Sequence, residues 1–309
     1  MPMTIKNNFA FTVRVCGGNK LSSKDASPMC IEVSPDAPNA AWKVVGDMPH
    51  ARLMPDSVLL PDGKILYVNG LGYGQAGGNA GQCQYAQRPE LATDMYDPET
   101  GKWSTLQNAV QRRLYHSGAI LLESGHVLTM GSEMDNYDEC WPIPKNSCMP
   151  FTDLACSSPF NTKLERFAPP YLSQVNDQRI VIKNATASVT HESAFQLDLV
   201  DTKNVVRVTF LRYSTTTHST NTDQRFVELV IVGKTSTSIY VTAPKLMHAP
   251  PGNWMVFVLD KDGVPSIAKT VSLQIGAISS IPVPKEAKKN NAVKGAGILG
   301  LFGALVMMF

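Results

Sequence analysis

Within its first 140 residues the chain repeats itself, and this constrains its fold more than any other feature. Trp42, Arg52-Leu53, Leu59-Leu60 and Gly63 recur as Trp103, Arg113-Leu114, Leu121-Leu122 and Gly125, at offsets of 61 to 62 residues. A unit that returns at a fixed spacing buries its apolar face against its own copies, so the chain is restricted to stacked or ring-forming architectures. Each copy reads as a Trp closing one strand, a linker, the Arg-Leu pair and an apolar strand. A tight turn at Asp62-Gly63 or Ser124-Gly125 then leads into a second strand, Lys64–Asn69 or His126–Met130. That is the pattern of an antiparallel meander.

Tyr96–Trp103 adds another strand, turn and strand, so a unit holds about four short strands, the content of a kelch-type β-propeller blade. Two copies are visible, with part of a third around Phe9–Gly18. A ring closes with about four to eight blades, so this region is expected to need further blades or a partner to cover its open faces. From Phe167 onward the pattern changes to short Val-, Ile-, Thr- and Phe-rich runs: Arg179–Lys183, Ala194–Leu199, Val205–Leu211, Phe226–Val232, Ser238–Ala243, Trp254–Leu259 and Thr270–Ile275. About seven strands in about 110 residues suit an immunoglobulin-like sandwich. No helix of convincing length appears. The expected fold is therefore all-β: an incomplete kelch-type propeller over residues 1–166, an immunoglobulin-like β-sandwich over 167–277, and a spacer with an apolar tail over 278–309.

Charged residues are only 17% of the chain and the formal charge is +2, which excludes a polybasic nucleic-acid binder and leaves no long-range field to attract an anionic membrane. Six cysteines include no C-x-x-C pair, so disulfides are a better reading than a zinc ribbon. Cys140, Cys148 and Cys156, spaced eight apart in a Pro-, Ser- and Asn-rich stretch, are natural candidates. The first eight residues lack the apolar core of an export signal. Yet Lys285–Lys294 leads into the uncharged run Gly295–Phe309. At ~1.5 Å per residue that run is too short for a ~30 Å hydrocarbon core, and it reads as a cleaved glycolipid-anchor signal, with attachment near Ser279-Ser280 or Asn290–Ala292. An exit signal without an entry signal gives the expectation of a fragment of an extracellular or cell-surface protein. The single Asn-x-Ser/Thr sequon, Asn184-Ala185-Thr186, agrees with export.

Of six histidines, His50, His126, His191 and His248 lie beside turns or prolines with no second ligand at metal spacing, and solvated or hydrogen-bonded roles suffice for them. His116 differs. It follows Tyr115 inside the repeat, and the matching place in the first copy, around Leu53-Met54-Pro55, carries neither a phenol nor an imidazole. Consecutive strand residues point to opposite faces, so Tyr115 and His116 can share one ion only if the chain bends there. An N/O donor set without thiolate suits copper or iron. His218 sits in the polar loop Ser214–Arg225, between two apolar strands, whose hydroxyls and amides can satisfy their own backbone while the loop enters a crowded site.

Arg113-Leu114-Tyr115-His116-Ser117, Thr217–Arg225 and Pro250–Leu259 together closely resemble the galactose oxidase and glyoxal oxidase family of copper radical oxidases, over about Cys16–Ile275. The resemblance implies a seven-bladed kelch propeller capped by a β-sandwich, one loop of which delivers a His to the propeller axis. It implies one copper ion, with Tyr115 as axial ligand and proton acceptor and His116 and His218 as equatorial ligands. It further implies oxidation of small aldehydes of the glyoxal or methylglyoxal type, or of primary alcohols, by O2 to give H2O2. The family's radical cofactor, a Tyr joined to a Cys by a thioether, lies well before the Arg-Leu-Tyr-His segment, and Cys16, 99 residues ahead of Tyr115, is not assigned to it. The Cys–Tyr cofactor is thus expected to be absent, leaving a chain that binds copper weakly and does not turn over alone. The competing reading is a non-enzymatic cell-surface shell that binds glycans or a partner. A shell needs none of the three side chains.

Overall fold

The computed structural model describes residues 1–20, 23–74, 86–133, 161–173, 179–278 and 281–284. Cys83, Cys140, Cys148, Cys156, both candidate anchor-attachment sites and the apolar tail lie outside the described residues. Among the described residues no helix is long and apolar enough to cross a membrane.

The chain is all-β, with three blade-like sheets followed by a sandwich. The first sheet holds β1 (Val13–Cys16), β2 (Met29–Val33) and β3 (Lys43–Asp47). The second is a four-stranded antiparallel meander of β4 (Asp56–Leu59), β5 (Ile65–Val68), β8 (Thr93–Asp97) and β9 (Lys102–Leu106), with the small ribbon β6 (Leu71–Tyr73) and β7 (Gln87–Pro89) at one end. The third holds β10 (Tyr115–Leu121), β11 (Val127–Glu133) and β12 (Glu165–Phe167), followed by a four-residue helix, α1 (Pro170–Ser173).

The two-residue period of the strands explains why the second sheet is buried on both sides. Leu59, Ile65, Tyr67 and Tyr96 point toward the first sheet and join Cys16, Cys30 and Met48. Val58, Leu60, Leu66, Val68 and Met95 point the other way and meet Ala119 and Val127 of the third sheet. The repeat is equally visible in the backbone. Gly63 and Gly125 take φ of +91° and +82°, and their amides bond the carbonyls of Leu60 and Leu122 at 2.9 and 2.8 Å. Arg52 and Arg113 are both fully buried and each donates to carbonyls across its sheet: Asn69 and Ala92 for Arg52, Gly131 and Lys163 for Arg113. The repeated Trp differs from expectation, because it opens a strand instead of closing one. Trp103 is the second residue of β9 and Trp42 immediately precedes β3, since the hairpin turn falls before each Trp.

The sandwich comprises β13 (Ile182–Ala185), β14 (Ser188–Thr190), β15 (Ala194–Leu199), β16 (Arg207–Arg212), the hairpin β17 (Thr216–Thr217) and β18 (Thr220–Asn221), β19 (Phe226–Glu228), β20 (Val230–Lys234), β21 (Ser238–Thr242), β22 (Gly252–Leu259) and β23 (Lys269–Gln274). One sheet runs β13-β15-β21-β20 and the other β14-β23-β22-β16-β19, with β14 parallel to β23. The run expected as one strand over Phe226–Val232 is split between the two sheets. Buried Leu229 bonds the Val208 carbonyl at 2.9 Å, and Val230 then pairs with β21. Strand β22 faces two cores: Trp254, Val256 and Val258 enter the sandwich interior, while Met255, Phe257 and Leu259 pack against Tyr67, Tyr96 and the other apolar groups of the first two sheets. This packing fixes the sandwich on the blades and aims the β17–β18 hairpin at the third sheet.

Candidate metal centre

Two backbone bends build the site. The first lies in β10, where His116 adopts φ of +58°. Left-handed backbone reorients its side chain, and the Tyr115 and His116 rings stack with centroids 3.7 Å apart on the same side of the strand, as joint use of one ion requires. The bend belongs to the repeat. Met54, 62 residues earlier, has φ of +52°, and the facing strands carry positive φ at Asn69 and Gly70 in one copy and at Gly131 and Ser132 in the other. At Gly131 a side chain would clash: a Cβ there would lie 2.9 Å from the His116 carbonyl, at a φ of +68°.

The second bend is the tip of the β17–β18 hairpin, where His218 and Ser219 have φ of +52° and +59°. Two consecutive left-handed residues make the tightest hairpin turn, usually Asn-Gly, and here the His occupies the apex. Ser219 Oγ donates to the Met54 carbonyl at 2.8 Å, so the hairpin is held by the equivalent bend of the second sheet. Gly118 lets it approach, since a Cβ there would stand 2.9 Å from Thr216 Cγ2.

The bends bring His116 Nε2 and His218 Nε2 to 2.8 Å, with the rings nearly perpendicular at 88°. Tyr115 meets the His218 ring edge-on at 5.8 Å between centroids. Imidazole nitrogens bound at right angles to one divalent ion, each at ~2.0 Å, stand ~2.8 Å apart. The pair can share one proton, and a cation can take that proton's place. Thr217 Oγ1 lies 2.7 Å from His218 Nδ1 and can accept a hydrogen bond from its N–H, which leaves Nε2 as the lone-pair nitrogen. Among the described residues no group of three or more His, Cys, Asp or Glu could hold a metal, so this centre is two imidazoles and a phenol.

Behind the imidazoles lies Asp56, buried at the start of β4. Its Oδ2 accepts from Asn69 Nδ2 at 2.8 Å and Ser117 Oγ at 3.0 Å, and its Oδ1 accepts a longer bond from Thr216 Oγ1 at 3.4 Å. Burial pushes its carboxyl up to about 6, against the lowering effect of these hydrogen bonds and of the Arg113 charge. Asp56 was not among the candidate residues of the sequence. A buried-strand start in which an acid directly follows Pro55 and precedes the apolar Val58-Leu59-Leu60 is the signal that could have found it.

The remaining histidines are engaged elsewhere. His50 pairs with Asp94 at 3.0 Å, His126 with Ser124 at 3.0 Å and His191 with the Ala249 carbonyl at 2.8 Å, while His248 stacks on Phe9. Cys16 and Cys30, directly opposite in the β1–β2 register, form a disulfide.

Comparison with known proteins places the chain in a family. The family profile described as Glyoxal oxidase N-terminus matches residues 1–171. The chain belongs to the glyoxal oxidase family. Residues 179–273 match a second profile, Galactose oxidase-like, Early set domain. Among curated relatives, an aldehyde oxidase of Arabidopsis thaliana is 30% identical over 290 residues, covering 84% of this chain and 43% of that protein. One from Vitis pseudoreticulata is 30% identical over 281 residues, covering 84% and 49%. A galactose oxidase of Gibberella zeae is 26% identical over 238 residues, covering 76% and 31%. The chain thus spans less than half the length of these relatives. A fungal alcohol oxidase solved in complex with copper shares the fold, with a TM-score of 0.68 at 23% identity, covering 86% of this chain and 52% of that one.

Proposed function

We propose that this member of the glyoxal oxidase family carries the copper-holding half of an oxidase for small aldehydes or primary alcohols, with O2 as acceptor and H2O2 as product. The observation that carries the reading is the 2.8 Å approach of two imidazole nitrogens from separate modules, beside a stacked phenol. Copper, when bound, would polarise a substrate hydroxyl and accept an electron. His116 and His218 would hold it as neutral nitrogen donors, and Tyr115 would supply an oxygen donor that takes the substrate's proton. The domain limits of residues 1–166 and 167–277 are part of the proposal: the first provides Tyr115 and His116, the second His218.

The described residues offer no cysteine for a Cys–Tyr thioether, because Cys16 and Cys30 are joined to each other. Cys83, Cys140, Cys148 and Cys156 lie outside the described residues, so the proposal that the chain by itself binds copper weakly and without turnover rests on the family resemblance, in which the Cys–Tyr pair lies well before the Arg113–His116 segment. The Cys16–Cys30 disulfide also favours an oxidising, extracellular setting. Partner chemistry is suggested by the outer face of the first sheet, where Val15, Ile31 and Val44 form one cross-strand row, with Val15 and Val44 49% and 69% exposed. The opposite face is packed, so the proposal includes a further sheet covering this row.

Copper titration with a peroxide assay on methylglyoxal tests the reading. One weakly bound copper equivalent without peroxide is expected from the chain alone. Sustained peroxide release would overturn the assignment of the radical half to another segment, and absence of copper binding would overturn the metal centre.

A further inference from the structure

We infer that Asp56 is the positioning residue that sets the distance between the two imidazoles. It belongs to neither ligand-bearing element, yet it bonds both. Ser117, which donates to Asp56 Oδ2, follows His116 in β10. Thr216, which donates to Oδ1, lies two residues before His218 in β17. Asn69, at the facing-strand bend of the second sheet, donates to Oδ2 as well and fixes the carboxylate plane.

The covalent path from His116 to His218 runs through 102 residues and a domain crossing, so the 2.8 Å separation cannot be kept by chain connectivity. It is kept by cross-links near the two tips. Ser219 Oγ on the Met54 carbonyl supplies one. Met54 in turn lies two residues before Asp56, so both ties converge on one short segment of the second sheet. A buried carboxylate is costly unless its lone pairs are filled, and here they are filled by groups from β10, β17 and the β5–β6 bend. Withdrawing one donor leaves the others, whereas withdrawing the carboxylate releases all three. Outer-shell partners bonded directly to a ligand are commonly worth ten- to a hundred-fold in metal affinity, and Asp56 acts one step further out, through Ser117 and Thr216.

This inference rests on the copper reading above, and the test separates the two. Cu(II) affinity and the electron paramagnetic resonance spectrum are measured on the full chain and on Asp56→Ala, Ser117→Ala, Thr216→Val, His218→Ala and Val58→Ala. The last is a core change in the same strand that contributes no group to the network. The expected result is about a ten-fold or greater loss of affinity and an altered copper spectrum in Asp56→Ala, a smaller loss in each single-donor variant, and unchanged affinity and spectrum in Val58→Ala, measured well below its melting temperature. Should Asp56→Ala not fold, the Ser117→Ala, Thr216→Val double variant carries the test with the same expectation. Wild-type copper binding in the Asp56 or double variant, with loss in His218→Ala, would overturn the positioning role alone. Equal binding by wild type and His218→Ala would overturn the copper reading itself.

Discussion

His116 and His218 share a backbone choice that few residues other than glycine make, with φ of +58° and +52°. Left-handed backbone costs an L-residue of order 1–2 kcal/mol, and here it is what turns each ring toward the other. Gly131 complements the first bend, so Gly131→Ala should cost about 1–3 kcal/mol in chemical denaturation, through its own φ and the clash with the His116 carbonyl. Asp56 gives a pH prediction. Its folded carboxyl, pushed up to about 6 by burial, stands above the ~3.9 of an unfolded Asp, so the folded state takes up the proton first as pH falls. Its contribution to stability is therefore unfavourable above pH 6 and fades between pH 6 and pH 4. Urea unfolding across that range should show wild type gaining about 2–3 kcal/mol relative to Asp56→Asn on acidification. Parallel pH curves for the two proteins would contradict the assignment.

Elements explain which parts of this arrangement could be read in the sequence. The blades were legible because burial on both faces of β4 and β5 forces an apolar run ending in a Gly turn, and the same run returns 62 residues later. Tyr115 and His116 stood out because the repeat does not need them. The bend that unites them was only half legible. Asn69-Gly70 and Gly131 announce left-handed backbone on the facing strand, whereas the φ of Met54 and His116 leaves no mark in residue type. The Asp56 network was hidden because its donors come from three distant stretches of chain. The Cys16–Cys30 bond was hidden for a related reason: register, and not spacing, puts those residues opposite each other. That bond closes a loop of about 15 residues, so replacing both cysteines with Ser should lower stability by about 3 kcal/mol, measured by urea unfolding. At the second bend, Gly118→Ala pushes on Thr216 and should weaken copper binding several-fold by lifting the hairpin, with little change in β10.

At the scale of the whole molecule, the five-stranded sheet of the sandwich is a shared wall, apolar toward its own core and apolar toward the blades. Bonds from Arg207 to the Asp62 carbonyl, from Thr209 to the Pro61 carbonyl, and from the Leu59 amide to Gln224 secure that wall at the end of the second sheet. The hairpin is thus carried by a rigid body instead of a free loop. The first sheet, by contrast, ends the stack with an apolar row facing solvent. Light scattering should show concentration-dependent association of the isolated chain, abolished by Val15→Glu with Val44→Glu.

The proposed centre is a single cupric ion held between His116 of one module and His218 of the other. Electron paramagnetic resonance of the chain with one equivalent of Cu(II), read for coupling to imidazole nitrogens, tests this most directly. Two coupled imidazoles are predicted in the wild-type chain, one in either His116→Ala or His218→Ala, and none in the double variant. A copper spectrum unchanged in the double variant would contradict it.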